Sequence, residues 1–487
     1  MVTTTTLPHA PATGHAGTQP ASRHTTRQTP KERYRWGKQL RERAPLASQA
    51  DVVITTERDS LLLLEEQSIT RVPELVPIRY GRMAVSPWTF YRGAAYVMAT
   101  DLAATPNAGI KTQVCGDAHI GNFGLFGTAE RRLVFDINDF DETSSGPFEW
   151  DVKRMTGSLT IAARQLEVGR KIRRAMAMAA VRRYRESMAN FATMTELDVW
   201  YASADADAVR KRLKPEIRDS RGRRALAQSL AKAHTRDSIQ ALDRMTYRDN
   251  GDLRITADPP LIVPLRDLIS LDDEDDLEER FRKLISQYRR SLRADLRLLL
   301  ERYRFRDMAR KVVGVGSVGT RCWVVLLTGR DDNDPLFLQV KEANQSVIST
   351  ALGAAPRGHE GQRVVDGQRL MQAAGDIFLG WQTTAGIDGV SRDFYVRQLR
   401  DWKFSVPIEQ LRPDGLRLYA ELCGWTLARA HARAGDAAAI AGYLGSRDTF
   451  DTAIAEFAET YADLTEQDFA RLTTAIAAKE LVAQTGL

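Results

Sequence analysis

Cysteine is nearly absent. Cys115, Cys322 and Cys423 are the only three in 487 residues, odd in number and widely separated. That excludes a disulfide framework and a cysteine-built zinc site, and it points to a reducing, cytoplasmic setting. No uncharged apolar run reaches membrane-spanning length, and the opening thirty residues, rich in Thr, Ala, Pro and Gly, lack the apolar stretch of a signal peptide. They read as a disordered tail, residues 1–30. A basic block is missing as well. The formal charge of +6 comes from arginines interleaved with acids along helical stretches, the pattern of solvated helix faces, so no nucleic-acid partner is expected. Internal repeats are absent.

What is present has the hydrophobic (43%) and charged (27%) content of a globular chain that is too long for one ordinary core. Two lobes, or a domain with a large insertion, are expected. Helical spacing of apolar residues runs through Ser86–Ala104, Asp151–Gln165 and the stretch KIRRAMAMAAVRRYRESMANFATM. A long amphipathic helix, DDLEERFRKLISQYRRSLRADLRLLLERYRF, is predicted to end near Arg306, its acids first and its bases last. The period then changes. KVVGVGSVGTRCWVVLLTG, PLFLQVKEA and DFYVRQLRDW (Asp393–Trp402) are β-branched or aromatic runs broken by glycines, which reads as strands and turns, and helices close the chain. The expected organisation is a helical lobe over 31–311, a small β-rich lobe over 312–402, and helices over 403–487 that complete the first lobe.

The glycines of GVGSVGT stand at 314, 316 and 319, giving G-x-G-x-x-G. Alone the pattern is weak, because glycines also mark ordinary turns. A dinucleotide fingerprint requires a helix directly afterwards, whereas RCWVVLL reads as a strand, so the loop joins two strands and its backbone, with Ser317, can lie over nucleotide phosphates. Lys341 ends the next apolar strand, where it reaches α- and β-phosphates if an acid on the following helix holds it. Asp366 is the favoured partner and Glu360 the competitor. Gln398 and Leu399, on a strand suited to joining two lobes, are the candidates to offer backbone groups to a base.

The other dense stretch is VCGDAHIGNFGLF (Val114–Phe126), followed by LVFDINDFDET (Leu133–Thr143). Acids gathered this closely repel one another unless a cation sits among them. In phosphoryl transfer one Asp accepts the hydrogen bond of the attacking hydroxyl, an Asn a few residues later binds metal, and an Asp on a following strand binds Mg²⁺. Asp117, Asn122 and Asp139 match those roles in order, with Asp136 and Asp141 as competing ligands. Continued strand alternation would put Asp139 and Asp141 on one face and Asp136 on the other. A solvated acidic turn is the ordinary alternative.

CGDAHIGN and DFDE, with GPFEWDVKRM after them, resemble the catalytic half of aminoglycoside and choline phosphotransferases, in which an HGDLHxGN loop, an IDFD-like strand and a DPxxDLA helix start recur. These belong to the protein-kinase-like superfamily. Most of the chain also resembles an uncharacterised bacterial domain-of-unknown-function family assigned to it. The resemblance implies an α+β, two-lobed, helix-rich protein-kinase-like fold, with ATP and Mg²⁺ as cofactors and Asp151 bracing the catalytic loop. Two departures stand out. Cys115 occupies the place of the usual first His, and His119, matching the second, is expected to brace rather than to act as a base. The glycine loop also follows the catalytic loop instead of preceding it, which a circular permutation of the two halves explains.

The leading expectation is therefore an ATP- and Mg²⁺-dependent phosphotransferase acting on an unidentified hydroxyl or amine acceptor, small molecule or protein, with Arg79, Arg82 and Arg92 near the acceptor pocket or in ion pairs. The alternatives are a nucleotide-binding pseudokinase and an AMP-transferring enzyme on the same fold.

Overall fold

A computed structural model describes residues 28–213, 238–269, 284–356, 358–399 and 404–487. Most of the expected tail lies outside the described residues. Order begins before its predicted end, because Thr29 caps the first helix through a reciprocal bond pair with Glu32. The chain is mixed α+β, with helix predominating. Its N-terminal part is helical: α1 (Pro30–Gln39), α2 (Ser60–Ser68), α3 (Val76–Met83), α4 (Pro87–Gly93) and α5 (Ala95–Ala103). Ser86 caps α4 and Pro87 opens it, so the single helix expected after that turn is two helices meeting at Ala94.

Strands β1 (Lys111–Val114) and β4 (Ser144–Pro147) pair with each other and enclose the acidic stretch. Between them, β2 (Phe123–Gly127) and β3 (Leu133–Ile137) form a hairpin, flanked in one sheet by β5 (Ala204–Asp205) and β14 (Phe404–Ser405). Two long helices follow β4: α6 (Phe148–Gln165), which is buried on nearly every side, and α7 (Arg170–Phe191). The helices Pro413–Ala434 and Thr449–Ala477 pack on α6 and α7, and α1 packs on the helix Ala437–Leu444. Both ends of the chain thus share one core, in which Phe148 stacks on Tyr184 and meets Tyr443 and Phe450. A hairpin, β6 (Thr246–Asp249) and β7 (Asp252–Ile255), comes next in the chain and packs against the large sheet.

The large sheet has six strands: β8 (Ile262–Pro264), β9 (Arg304–Lys311), β10 (Cys322–Thr328), β11 (Pro335–Glu342), β12 (Gly380–Ala385) and β13 (Ser391–Gln398). Their spatial order is β12-β13-β11-β10-β9-β8, with every pair antiparallel. β10 is buried at all seven positions, which accounts for its unbroken apolar run. The sheet begins before residue 312, since β8 and β9 both belong to it. The predicted long helix is a correction as well. Its start lies outside the described residues, the chain turns at 290–293, a short helix covers Ala294–Leu300, and β9 begins at Arg304. The acid-to-base gradient resembled one helix, but Leu292, Leu300 and Met308 had to reach the core of the sheet from separate elements. The helix Glu360–Met371 connects β11 to β12 and lies against β12 and β13.

Candidate active site

The loop after β1 turns at Gly116, whose φ of +81° suits glycine, and a Cβ there would run into the Glu142 carbonyl oxygen. Asp151, in the first turn of α6, holds the loop by accepting the N–H groups of Cys115 (2.8 Å) and Gly116 (3.0 Å). The same carboxylate meets His431 Nε2 at 3.1 Å, and His431 Nδ1 lies 2.8 Å from the Tyr184 hydroxyl. A histidine from a distant helix therefore supports the loop whose own position 115 carries a buried cysteine. Farther along, Ser158 Oγ accepts the Ile120 N–H, and Tyr419 donates to the Ile120 and Phe123 carbonyls.

Asp117 points out of this loop, with 19% of its side chain exposed, and accepts a 2.9 Å hydrogen bond from Arg154 Nε. Arg154 is buried over the Tyr91 ring and donates to the Tyr91 carbonyl. His119 lies 3.8 Å from Asp117 and edge-on to Trp88, and burial pulls its pKa down to about 3, so the ring is neutral at pH 7. Asn122 donates its side-chain amide to the Asp117 carbonyl, fixing the turn.

Lys341, next to last in β11, is only 2% exposed, and its ammonium contacts Asp141. Burial alone would lower its pKa, but Asp139 and Asp141 outweigh that and hold it well above the ordinary lysine value. Tyr395, directly opposite Lys341 in the β11–β13 register, donates to the other Asp141 oxygen at 2.6 Å. Ser317 of the glycine loop reaches the same carboxylate at 3.3 Å. In that loop Gly314 and Gly319 have φ of +63° and +88°, and Arg71 and Arg82 bond the Val318 and Gly314 carbonyls. The Val72 N–H also donates to the Gly319 carbonyl.

These elements enclose a cavity of about 370 Å³ whose lining includes Asp117, Asp139, Asp141, Glu142, Gly316 and Ser317. Burial pushes Glu142 up to about 7 and draws Arg71 down to about 10.

Several expectations need correction. Lys341 pairs with neither Asp366 nor Glu360. The helix that carries them presents Val364 to the cavity, while Asp366 bonds Gln362 and Glu360 pairs with Arg363. Asp136 does not line the cavity. It is 1% exposed, contacts Arg429 and accepts the Ala373 N–H at 2.9 Å. The strand ends at Ile137, yet Asp139 and Asp141 in the turn beyond it both face the cavity and Asp136 faces away. The N–H groups of Gln398 and Leu399 are committed to Asp376 (2.5 Å) and the Phe337 carbonyl (3.0 Å). Residues 400–402 of the expected strand lie outside the described residues.

Arg154, Tyr395 and Glu142 were missed. Arg154 had a signal: it stands one helical turn after Asp151, so a helix bracing the loop through Asp151 presents Arg154 to the same loop. The role of Tyr395 depends on strand register, which the sequence did not specify.

The comparison with protein families is decided over residues 71–475. The chain belongs to the family described as uncharacterized protein conserved in bacteria (DUF2252). No curated protein and no solved structure matches it. In this DUF2252 chain the matched span contains every cavity-facing residue named above and begins at Arg71, the first residue whose side chain bonds the glycine loop. No helix among the described residues is long and apolar enough to cross a membrane.

Proposed function

We propose that this DUF2252 chain is an ATP- and Mg²⁺-dependent phosphotransferase with a kinase-like site assembled from two halves in permuted order. One observation carries the reading: Lys341 and Asp141, 200 residues apart, are in contact at a cavity that also receives Asp117, Asp139 and Ser317 of the glycine loop. The connectivity supports it. A strand, a glycine loop, two strands, two helices and two further strands run from β9 to β13, which is an arrangement that suits a phosphate-covering loop and a strand lysine.

Asp117 has the place of the base that takes the acceptor's proton, and Arg154 orients it. Lys341 is the phosphate anchor. Its ionised state suits that role, and the triphosphate replaces part of its contact with Asp141. Among the described residues no three His, Cys, Asp or Glu side chains converge as a metal cage. Asp139 and Asp141 bring two carboxylates to the cavity, a donor set that would fit Mg²⁺, which takes one or two carboxylates and draws its other oxygens from phosphate and water. Asp139 would hold it as a cavity-facing carboxylate, with Asp141 as the second. When bound, the ion neutralises charge on the triphosphate.

The test is incubation of the purified chain with γ-labelled ATP and Mg²⁺, with products separated. ADP formation supports phosphoryl transfer, pyrophosphate assigns AMP transfer instead, and binding without turnover assigns a pseudoenzyme. Asp117→Asn is expected to cut turnover by about 10²–10⁴ with nucleotide affinity nearly unchanged; unaltered turnover removes Asp117 from the role of base.

A further inference from the structure

The site just described has an imbalance. Carboxylates dominate its wall, with Glu66 and Glu342 joining Asp117, Asp139, Asp141 and Glu142, whereas a triphosphate is a polyanion. Lys341, on the large sheet and buried, answers part of that charge through its contact with Asp141. The N-terminal helices bring further arginines, and the structure separates them by what each already holds. Arg79 is fully buried and bonds Leu64, Ser68, Gln67 and Gly93. Arg82 bonds the Gly314 carbonyl and Leu487, and Arg71 contacts the Val318 carbonyl.

Arg92 is different. It lines the cavity near the end of α4, and whereas Arg71 and Arg79 share with it an unpartnered Nε but spend their terminal nitrogens on the protein, Arg92 spends none. No described side chain or carbonyl receives a hydrogen bond from its guanidinium, which lies 5.9 Å from the Trp88 ring centroid. Asp117 and Glu409 are the acids whose charge it feels, and burial lowers its pKa against their pull. The glycine loop comes down on this residue: a Cβ at Gly316 would stand 3.1 Å from the Arg92 carbonyl oxygen. Arg92 is half-buried, and its terminal N–H groups are open to the cavity and committed to no protein acceptor, so they can receive a ligand without breaking an existing hydrogen bond.

We propose that Arg92 is a catalytic residue of this chain, binding the terminal phosphoryl group of a phosphoanhydride substrate between the glycine loop and Asp117. The inference rests on the phosphotransferase reading and adds to it a group, besides Lys341, that neutralises the transferred phosphoryl. In the transfer, the acceptor oxygen forms its bond to the terminal phosphorus. The bond from that phosphorus to the bridging oxygen breaks, with its electron pair staying on the departing diphosphate, and the acceptor's proton passes to Asp117. Arg92 makes and breaks no covalent bond. Its planar N–H fork follows the charge as it spreads over the equatorial oxygens, a contribution of about 10³–10⁵ in rate where an arginine serves phosphoryl transfer.

The experiment compares wild type, Arg92→Ala and Arg92→Lys for binding of ADP, the β,γ-imido analogue of ATP and inorganic tripolyphosphate, each with Mg²⁺, and for ADP release from ATP. Because Arg92 makes no hydrogen bond, Arg92→Ala is expected to fold with a thermal midpoint close to wild type. It should bind the analogue and tripolyphosphate about tenfold more weakly, bind ADP within about twofold of wild type, and turn over at least 10²-fold more slowly. Arg92→Lys should recover part of the loss. Equal weakening for ADP and the analogue, or no weakening of either, overturns the assignment while leaving a wild type that turns over ATP intact as a phosphotransferase. A wild type that binds tripolyphosphate through Arg92 but no nucleotide keeps the inference and removes ATP from the reading. A wild type that binds none of the three probes overturns both.

Discussion

Replacing Asp136 by Asn distinguishes a folding role from a metal-binding one. Asp136 and Arg429 are each 1% exposed at their side chains and contact one another; Asp136 also accepts the Ala373 and Ile137 N–H groups, and Arg429 donates to the Met371 carbonyl. An amide at 136 removes the negative charge and leaves Arg429 buried, with Arg433 close enough to feel its field. Breaking one partner of a buried pair costs about 3–5 kcal/mol, a large part of the roughly 5–15 kcal/mol that holds a native protein together. At a urea slope of about 2–3 kcal/mol/M the unfolding midpoint should fall by roughly 1–2.5 M with the slope unchanged. Asp139→Asn is the control on the cavity side and should lose the Mg²⁺ dependence of nucleotide binding. Folded Asp136→Asn should keep it. A loss under about 1 kcal/mol, or a folded Asp136→Asn that binds nucleotide without regard to Mg²⁺, refutes the argument from burial and returns Asp136 to the metal.

Two pH-dependent outcomes follow from buried groups of opposite sign. His119, drawn down to about 3 by burial, takes up a proton in the unfolded chain first, so its share of stability is lost as pH falls from about 6.5 toward 3; its ring protons should not titrate between pH 5 and 8 by NMR, and an inflection there would contradict the burial. Glu149, 1% exposed and pushed up to about 7 by burial, accepts the Ala108 N–H at 2.7 Å while its other oxygen has no partner. Its folded value exceeds the unfolded one, so it favours the native state below about pH 4.5 and loses that contribution as pH rises through 7. Glu149→Gln should therefore gain on wild type in thermal midpoint between pH 5 and 8, and parallel curves would show that the carboxyl is not desolvated.

The local elements were legible because each was written in a local code. The apolar period marked α6, α7 and the two C-terminal helices, the unbroken β-branched run marked β10, and the spacing from Asp117 to Asn122 and on to Asp139 marked a charged loop beside a strand. Local codes also misled. The acid-first, base-last gradient before Arg306 reads the same whether one helix or two short ones and a strand carry it, and the alternation rule applied beyond Ile137 presumed a strand that had already ended.

By itself the sequence determined the residue types gathered on each short loop, since spacing along a chain fixes what a turn can present. The tertiary structure decided which of them meet. Whether Lys341 pairs with Asp366 or with Asp141 depends on the rotation of one helix about its axis and on the register of β11 against β13. Whether Asp136 faces metal or Arg429 depends on which side of a five-residue strand the Pro413–Ala434 helix covers. Those choices are settled by burying apolar surface across hundreds of residues, a sum over contacts that no short window of sequence contains.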